Sequence, residues 1–193
     1  MTDLAERRGV ETTVYQPAED SELLASVARE AVGPGDVALD VGTGSGYVAA
    51  EMEAAEPAAR VVGVDRNPHA CGQARDHGVE AVRGNLTAPF RAAAFDLVVF
   101  NPPYLPTPRE AERDDWMERA LSGGESGREV VEPFLADVGR VLAPGGTCLL
   151  LVSSLTDVEA VRGLAADAGL SVTEAASEKF PFERLVVLEL ELL

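Results

Sequence analysis

Asp40-Val41-Gly42-Thr43-Gly44-Ser45-Gly46 closes a short apolar run, Val37–Val41, and opens onto a helix-like stretch, Tyr47–Ala55. Glycines let a backbone turn tightly and approach a ligand closely. The pattern alone is weak, but its context is informative. It follows a predicted strand and precedes a predicted helix, and Asp65 ends the next predicted strand, residues 60–64. A carboxylate there can accept hydrogen bonds from both hydroxyls of a ribose. A dinucleotide site wants Gly-x-Gly-x-x-Gly, with the pyrophosphate over a helix N-terminus. Here the spacing is Gly-x-Gly-x-Gly, preceded by Asp40. An acid beside the loop repels a pyrophosphate and suits the positively charged amino group of a methionine moiety. Asp40 can also be read as a mere cap of the turn.

Outward from that loop, predicted strands and helices alternate. A helix over 18–31 precedes the first strand. After Asp65 come a helix over Pro68–Asp76, a weaker strand over 79–83 and an almost wholly apolar strand, Phe95–Phe100. The last reads as buried on both faces. A helix over 129–142 is closed by Pro144-Gly145-Gly146. A strand over 147–152, a helix over 158–168 and two strands, 171–177 and 184–190, complete the chain. Phe180-Pro181-Phe182 joins those two, short enough for an antiparallel hairpin. The expectation is one α/β domain over 1–193, a doubly wound sheet with ligands at the carboxyl ends of its strands. Residues 106–127 form a long polar stretch, expected to be a lid-like loop. After the third strand, Gly84-Asn85-Leu86-Thr87 offers Asn85 as an acceptor and Leu86 as a packing surface for an adenine. A plain turn asparagine explains the residue type equally well.

Composition bounds the partners. The 193 residues are 46% hydrophobic, and 33 carboxylates face 16 cations, for a net charge of −17. Lys179 is the one lysine. Such a surface repels phosphate backbones, so nucleic acid is a poor default partner. It also resembles proteins of salt-loving archaea, where salt screens self-repulsion. No apolar run reaches the ~18 residues of a membrane span. Met1 to Val10 lacks the apolar core of a signal peptide, so a cytoplasmic protein is expected. Cys71 and Cys148 lie far apart with no CxxC, which reads as two buried thiols and no metal site. His69 and His77 read as surface residues.

Asn101-Pro102-Pro103-Tyr104 directly follows the buried strand. Each proline fixes its own φ and holds the preceding residue extended. The segment is therefore stiff, and its carbonyls are not consumed by a helix. The side-chain oxygen of Asn101 and the carbonyl of Pro102 can converge on one point, with Tyr104 as a flat face beside them. That arrangement suits a planar NH2 group. Its nitrogen is a poor nucleophile, and two acceptors on its N–H bonds would orient it toward a methyl sulfonium. Both hydrogen bonds would strengthen as the nitrogen becomes positive.

Together, the glycine loop, Asp65 and Asn-Pro-Pro-Tyr resemble class I methyltransferases that modify planar amino groups. Val14-Tyr15-Gln16-Pro17-Ala18-Glu19-Asp20-Ser21 and Gly123-Gly124-Glu125-Ser126-Gly127-Arg128-Glu129-Val130 are similar to the HemK-like, or Mtq-type, branch of archaea and eukaryotes. The resemblance implies a Rossmann-like seven-stranded sheet with a C-terminal antiparallel hairpin. It implies N5-methylation of the Gly-Gly-Gln glutamine of a class I release factor, with S-adenosylmethionine as methyl donor. Asp40 and Gly42 would hold the methionine end and Asp65 the ribose, Asn85 and Leu86 would flank the adenine, and Gly44 and Gly46 would also bind the cofactor. Ser21 would lie over the cofactor from the N-terminal helix, and Asn101 would touch the cofactor as well. Asn101, Pro102, Pro103 and Tyr104 would hold the substrate amide, with Asn101, Pro102 and Tyr104 the catalytic set. Family members commonly carry aspartate where Asn85 stands; asparagine keeps an acceptor oxygen and loses the charge. The resemblance also implies a small zinc-binding activator protein that adds a strand at residues 79–83 to form a heterodimer.

Three other readings compete, and what separates them lies mostly outside the motif. An adenine or guanine amine in DNA or RNA satisfies the same two acceptors, but the chain has no recognition domain and no basic surface. Protein lysine is a further substrate reported in the family. A cofactor-binding sensor would have no need of Asn101-Pro102-Pro103-Tyr104.

Overall fold

The computed structural model describes residues 13–108, 110 and 115–193. The leader reading of Met1 to Val10 lies outside them, as does part of the stretch 106–127.

Seven strands form one sheet: β1 (Val37–Val41), β2 (Arg60–Asp65), β3 (Glu80–Arg83), β4 (Phe95–Phe100), β5 (Leu142–Ser153), β6 (Leu170–Lys179) and β7 (Arg184–Leu192). Their order is β3-β2-β1-β4-β5-β7-β6. The first five pair in parallel, and β7 runs antiparallel between β5 and β6. The order reverses between β1 and β4, which lie side by side with Val41 opposite Phe100. The glycine loop after β1 and the prolines after β4 therefore leave the sheet together, at the switch point where such sheets bind ligands.

Helices α1 (Glu19–Ala31), α2 (Tyr47–Ala55), α3 (Pro68–Asp76), α4 (Trp116–Leu121), α5 (Val131–Val141) and α6 (Val158–Asp167) complete the chain. Alternate residues of the central strands supply two cores. Leu39, Val41, Val98 and Phe100 pack with Phe134, Leu135 and Val138 of α5 and with Val161 of α6. Ala38, Leu97 and Val99 pack on the other face with Leu24, Ala28, Met52 and Ala74. In α5 the buried Val131, Phe134, Leu135, Val138 and Val141 fall at helical spacing, so one stripe faces the sheet. Among the described residues, no helix is long and apolar enough to cross a membrane. Cys71 and Cys148 are both buried free thiols, and His69 and His77 are exposed.

Three expectations need correction. The helix read over 129–142 is shorter, and Leu142 already belongs to β5. Pro144-Gly145-Gly146 does not lie outside the strand. Phe95 pairs with Leu142 and Leu97 with Thr147, so the extra residues bulge from β5, with Gly145 at φ 78°. The stretch 106–127 is not irregular throughout: α4 lies in it, capped by the Asp115 carboxylate on the Glu118 N–H at 2.8 Å.

β3 is a sheet edge, as expected. Gly84 N–H donates to the Asp65 carbonyl of β2 at 2.9 Å. Peptide groups alternate along a strand, so Glu80 and Val82 also turn to β2 and Ala81 turns to the open side. That outward Ala81 carbonyl is taken by Arg75 of α3, with Nη2 at 2.6 Å and Nε at 3.2 Å.

Candidate active site

The switch point opens into a cavity of about 340 Å³. All the residues assigned from sequence except Gly46 line it: Ser21, Asp40, Gly42, Gly44, Asp65, Asn85, Leu86, Asn101, Pro102, Pro103 and Tyr104. Gly46 sits just behind, as the N-cap of α2 with φ 84°. A Cβ on it would lie 3.0 Å from Ala74. Its glycine therefore serves the packing of loop on α3.

Gly42 has φ 64°, and a Cβ there would lie 3.3 Å from the Phe100 ring. The loop thus needs glycine both for its backbone and for its approach to β4. Asp40 is buried at the end of β1, and Thr43 Oγ1 donates to its Oδ2 at 2.7 Å. Burial pushes the Asp40 carboxyl up to about 7, against the lowering effect of its hydrogen bonds. Asp65 is also raised by burial, opposed by backbone N–H groups. Its Oδ2 accepts from Gly44 N–H at 3.0 Å and its Oδ1 from Asn67 N–H at 2.8 Å. Each oxygen has a second lone pair, so a ribose diol can still be bound.

Asn85 is exposed, and Leu86 is half-buried with φ 49°. The two form a turn at the cavity edge, with Ala88 N–H donating to the Asn85 carbonyl at 3.1 Å. Asp20, Asp40 and Asp65 all line the cavity. Three carboxylates are hostile to a pyrophosphate and compatible with a ligand carrying an ammonium and a sulfonium. The donor set therefore fits S-adenosylmethionine.

Asn101 lines the cavity, yet its Oδ1 is buried without a hydrogen-bond partner. Its Nδ2 donates to Ser21 Oγ at 3.4 Å. Tyr104 is half-buried, and its phenol is pushed above its ordinary range by burial and by the Asp20 and Glu183 carboxylates. The same holds for Tyr15, whose hydroxyl lies 3.2 and 3.1 Å from the two Asp20 oxygens. Both phenols stay protonated at neutral pH and act as donors, not as bases.

The segment Gly123–Val130 has a mechanical reading. Gly127 has φ 72°, and a Cβ on it would come within 2.7 Å of the Tyr104 carbonyl and of Thr156. Gly123 N–H donates to the Leu105 carbonyl at 3.0 Å. These glycines form the seat on which the chain leaving Tyr104 rests.

Sequence reasoning missed several lining residues: Tyr15, Asp20, Thr43, Asn67, Trp116 and Arg119. Asn67 carried a signal, because Asn67-Pro68 is a helix-start pair. Its Oδ1 caps α3 through His69 N–H at 3.0 Å, while its Nδ2 holds the Thr13 carbonyl at 2.7 Å. Trp116 and Arg119 had no such signal; the guanidinium lies 5.1 Å from the indole centroid on a helix that sequence did not reveal.

Residues 17–118 match the model of the methyltransferase small domain family. A provisionally named protein N5-glutamine methyltransferase of Methanocaldococcus jannaschii is 35% identical over 183 residues, covering 91% of this chain and 90% of the relative. The human methyltransferase HEMK2 is 34% identical over 198 residues, covering 94% and 91%. Among solved structures, the E. cuniculi Mtq2–Trm112 complex, described as responsible for methylating the translation termination factor eRF1, is 26% identical. It superposes with a TM-score of 0.78 over 94% of this chain and all of that one. The chain belongs to the methyltransferase small domain family and is an S-adenosylmethionine-dependent methyltransferase similar to the enzymes that methylate release-factor glutamine.

Proposed function

We propose that this enzyme N5-methylates the glutamine of the Gly-Gly-Gln motif of a class I release factor. The carrying observation is the buried, unpartnered Oδ1 of Asn101. An acceptor left without a donor in the folded protein is costly unless a ligand supplies one. A planar NH2 supplies it: one N–H to Asn101 Oδ1, the other to the Pro102 carbonyl, with the Tyr104 ring alongside. When bound, S-adenosylmethionine supplies a methyl group whose C–S electron pair stays with sulfur as it leaves. The amide nitrogen donates its lone pair to the new N–C bond and releases one proton to water. The two acceptors orient the nitrogen and favour its positive transition state.

In this reading Asp40 holds the methionine ammonium, with the backbone of Gly42 and Gly44 wrapping that end. Asp65 takes the ribose, Asn85 and Leu86 flank the adenine, and Ser21 closes the cavity from α1. The net charge of −17 favours a protein over a nucleic-acid substrate and fits a salt-rich cytoplasm. All 193 residues then make up one catalytic domain, and the part of 106–127 that carries α4 serves as its lid. A small zinc-binding activator would join as a heterodimer at β3, whose edge position supports strand addition.

The test is mass spectrometry of a release factor after incubation with enzyme, activator and cofactor. One added methyl group on the Gly-Gly-Gln glutamine is expected, and none on a factor with that glutamine changed to alanine. Transfer to RNA or DNA with none to the factor would overturn the proposal.

A further inference from the structure

Asp20 lines the cavity but has no part in the methyl-transfer step described above, and it is a buried carboxylate two contacts from the reacting centre. Its Oδ1 accepts the Ser21 N–H at 2.6 Å and the Ser21 hydroxyl at 3.2 Å. The Tyr15 hydroxyl donates to it as well. Asp20 and Ser21 are only 5% and 7% exposed, so water does not compete freely for these bonds.

Direction follows from the donor inventory. The Asp20 oxygen takes these hydrogen bonds as the acceptor. The Ser21 hydroxyl must therefore donate to Asp20 and present its lone pairs elsewhere. Those lone pairs face Asn101 Nδ2 at 3.4 Å, across 80 positions of sequence. A carboxamide has its donor and acceptor ends on opposite sides, so an NH2 held by Ser21 leaves Oδ1 turned away, in its partnerless position. A flipped carboxamide would offer donors to an incoming NH2 and repel it.

We infer that Asp20 and Ser21 are positioning residues for methyl transfer: Asp20 polarises the Ser21 hydroxyl, and that hydroxyl locks the Asn101 carboxamide with its oxygen toward the substrate nitrogen. Ser21 thereby acts through Asn101 in the first place and on the cofactor only secondarily. The inference rests on the planar-NH2 reading of Asn101.

Two measurements test it on the full chain. The sequence holds three asparagines, Asn67, Asn85 and Asn101. Selective 15N-asparagine labelling then resolves the three side-chain NH2 pairs, with Asn101→Ala identifying one. In the wild type, the Asn101 pair should show the shift and slow exchange of a held group. Ser21→Ala and the isosteric Asp20→Asn should release it, and Ser21→Thr should restore it. On the methyl acceptor, kcat should fall by about tenfold in Ser21→Ala and Asp20→Asn. KM for the acceptor and Kd for the cofactor should stay within about threefold, and Ser21→Thr should recover the rate. An Asn101 pair indifferent to Ser21→Ala would overturn the relay, as would a loss confined to cofactor Kd. If the wild type fails to methylate the factor, the substrate reading falls, while the labelling experiment still decides the relay.

Discussion

Gly63, in the middle of β2, leaves the space that Thr43 fills: a Cβ at Gly63 would lie 2.7 Å from Thr43 Oγ1. Thr43 in turn donates to the buried Asp40. A bare position on one strand thus sets the hydrogen bond that serves the acid at the end of its neighbour. Gly63→Ala should push Thr43 off Asp40, lower stability by about 1–3 kcal/mol and weaken cofactor binding. Thermal unfolding and titration calorimetry would show it; unchanged cofactor affinity would remove Thr43 from the binding machinery.

Asn101→Ala should lower the single-turnover rate by about 10²–10³, the loss expected when one group preorganised for the transition state is removed. Cofactor affinity should stay within about threefold, because the binding acids Asp40 and Asp65 are untouched. A variant that turns over at the wild-type rate would end the two-acceptor mechanism.

Asp40 sets a pH dependence with an unusual sign. Its carboxyl is raised to about 7 by burial. Between about pH 4, the ordinary value, and about pH 7, the folded chain holds a proton that the unfolded chain has lost. The ligand-free protein should therefore lose stability as pH rises across that window and level off above it. A bound ammonium favours the ionised form, so cofactor should bind more weakly below pH 7 and release a proton on binding there. Calorimetry in buffers of different ionisation enthalpy measures that proton, and Asp40→Asn should abolish its release.

The glycine loop, Asp65 and Asn101-Pro102-Pro103-Tyr104 were legible in sequence because each is punctuated locally. Glycine and proline announce a backbone need, and apolar runs announce the strands that carry them. Asp20 and Thr43 were not legible as site residues. Both look like ordinary polar residues of a helix start and a loop, and their importance comes from burial, which only packing decides. Helix α4 was hidden for a related reason: Trp116–Leu121 is too short to show a period. The bulge of β5 was misread because Pro144-Gly145-Gly146 is also how a helix connection ends.

The acidic surface predicts a salt response. Raising KCl from about 0.1 M to about 2 M shortens the screening length below about 3 Å and relieves self-repulsion. Tm should rise by about 5 °C or more. A flat profile would reject adaptation to a salt-rich cytoplasm.

Strand addition at β3 can be tested without harming the sheet. Ala81 turns its peptide group outward, whereas the pairing to β2 uses residues 80, 82 and 84. Ala81→Pro removes an outward N–H without touching the pairing to β2 and should abolish capture of the proposed activator, with melting little changed. Retained capture would move the docking surface elsewhere.

The guanidinium of Arg75 on the Ala81 carbonyl has a consequence for the molecule standing alone. An open strand edge is a template for any extended chain, including another copy of the same protein. Here that template is only four residues long, has Glu80 tied to Arg60 of β2, and has the outward carbonyl of Ala81 already engaged. The edge that would recruit a partner is thereby guarded against edge-to-edge aggregation between copies.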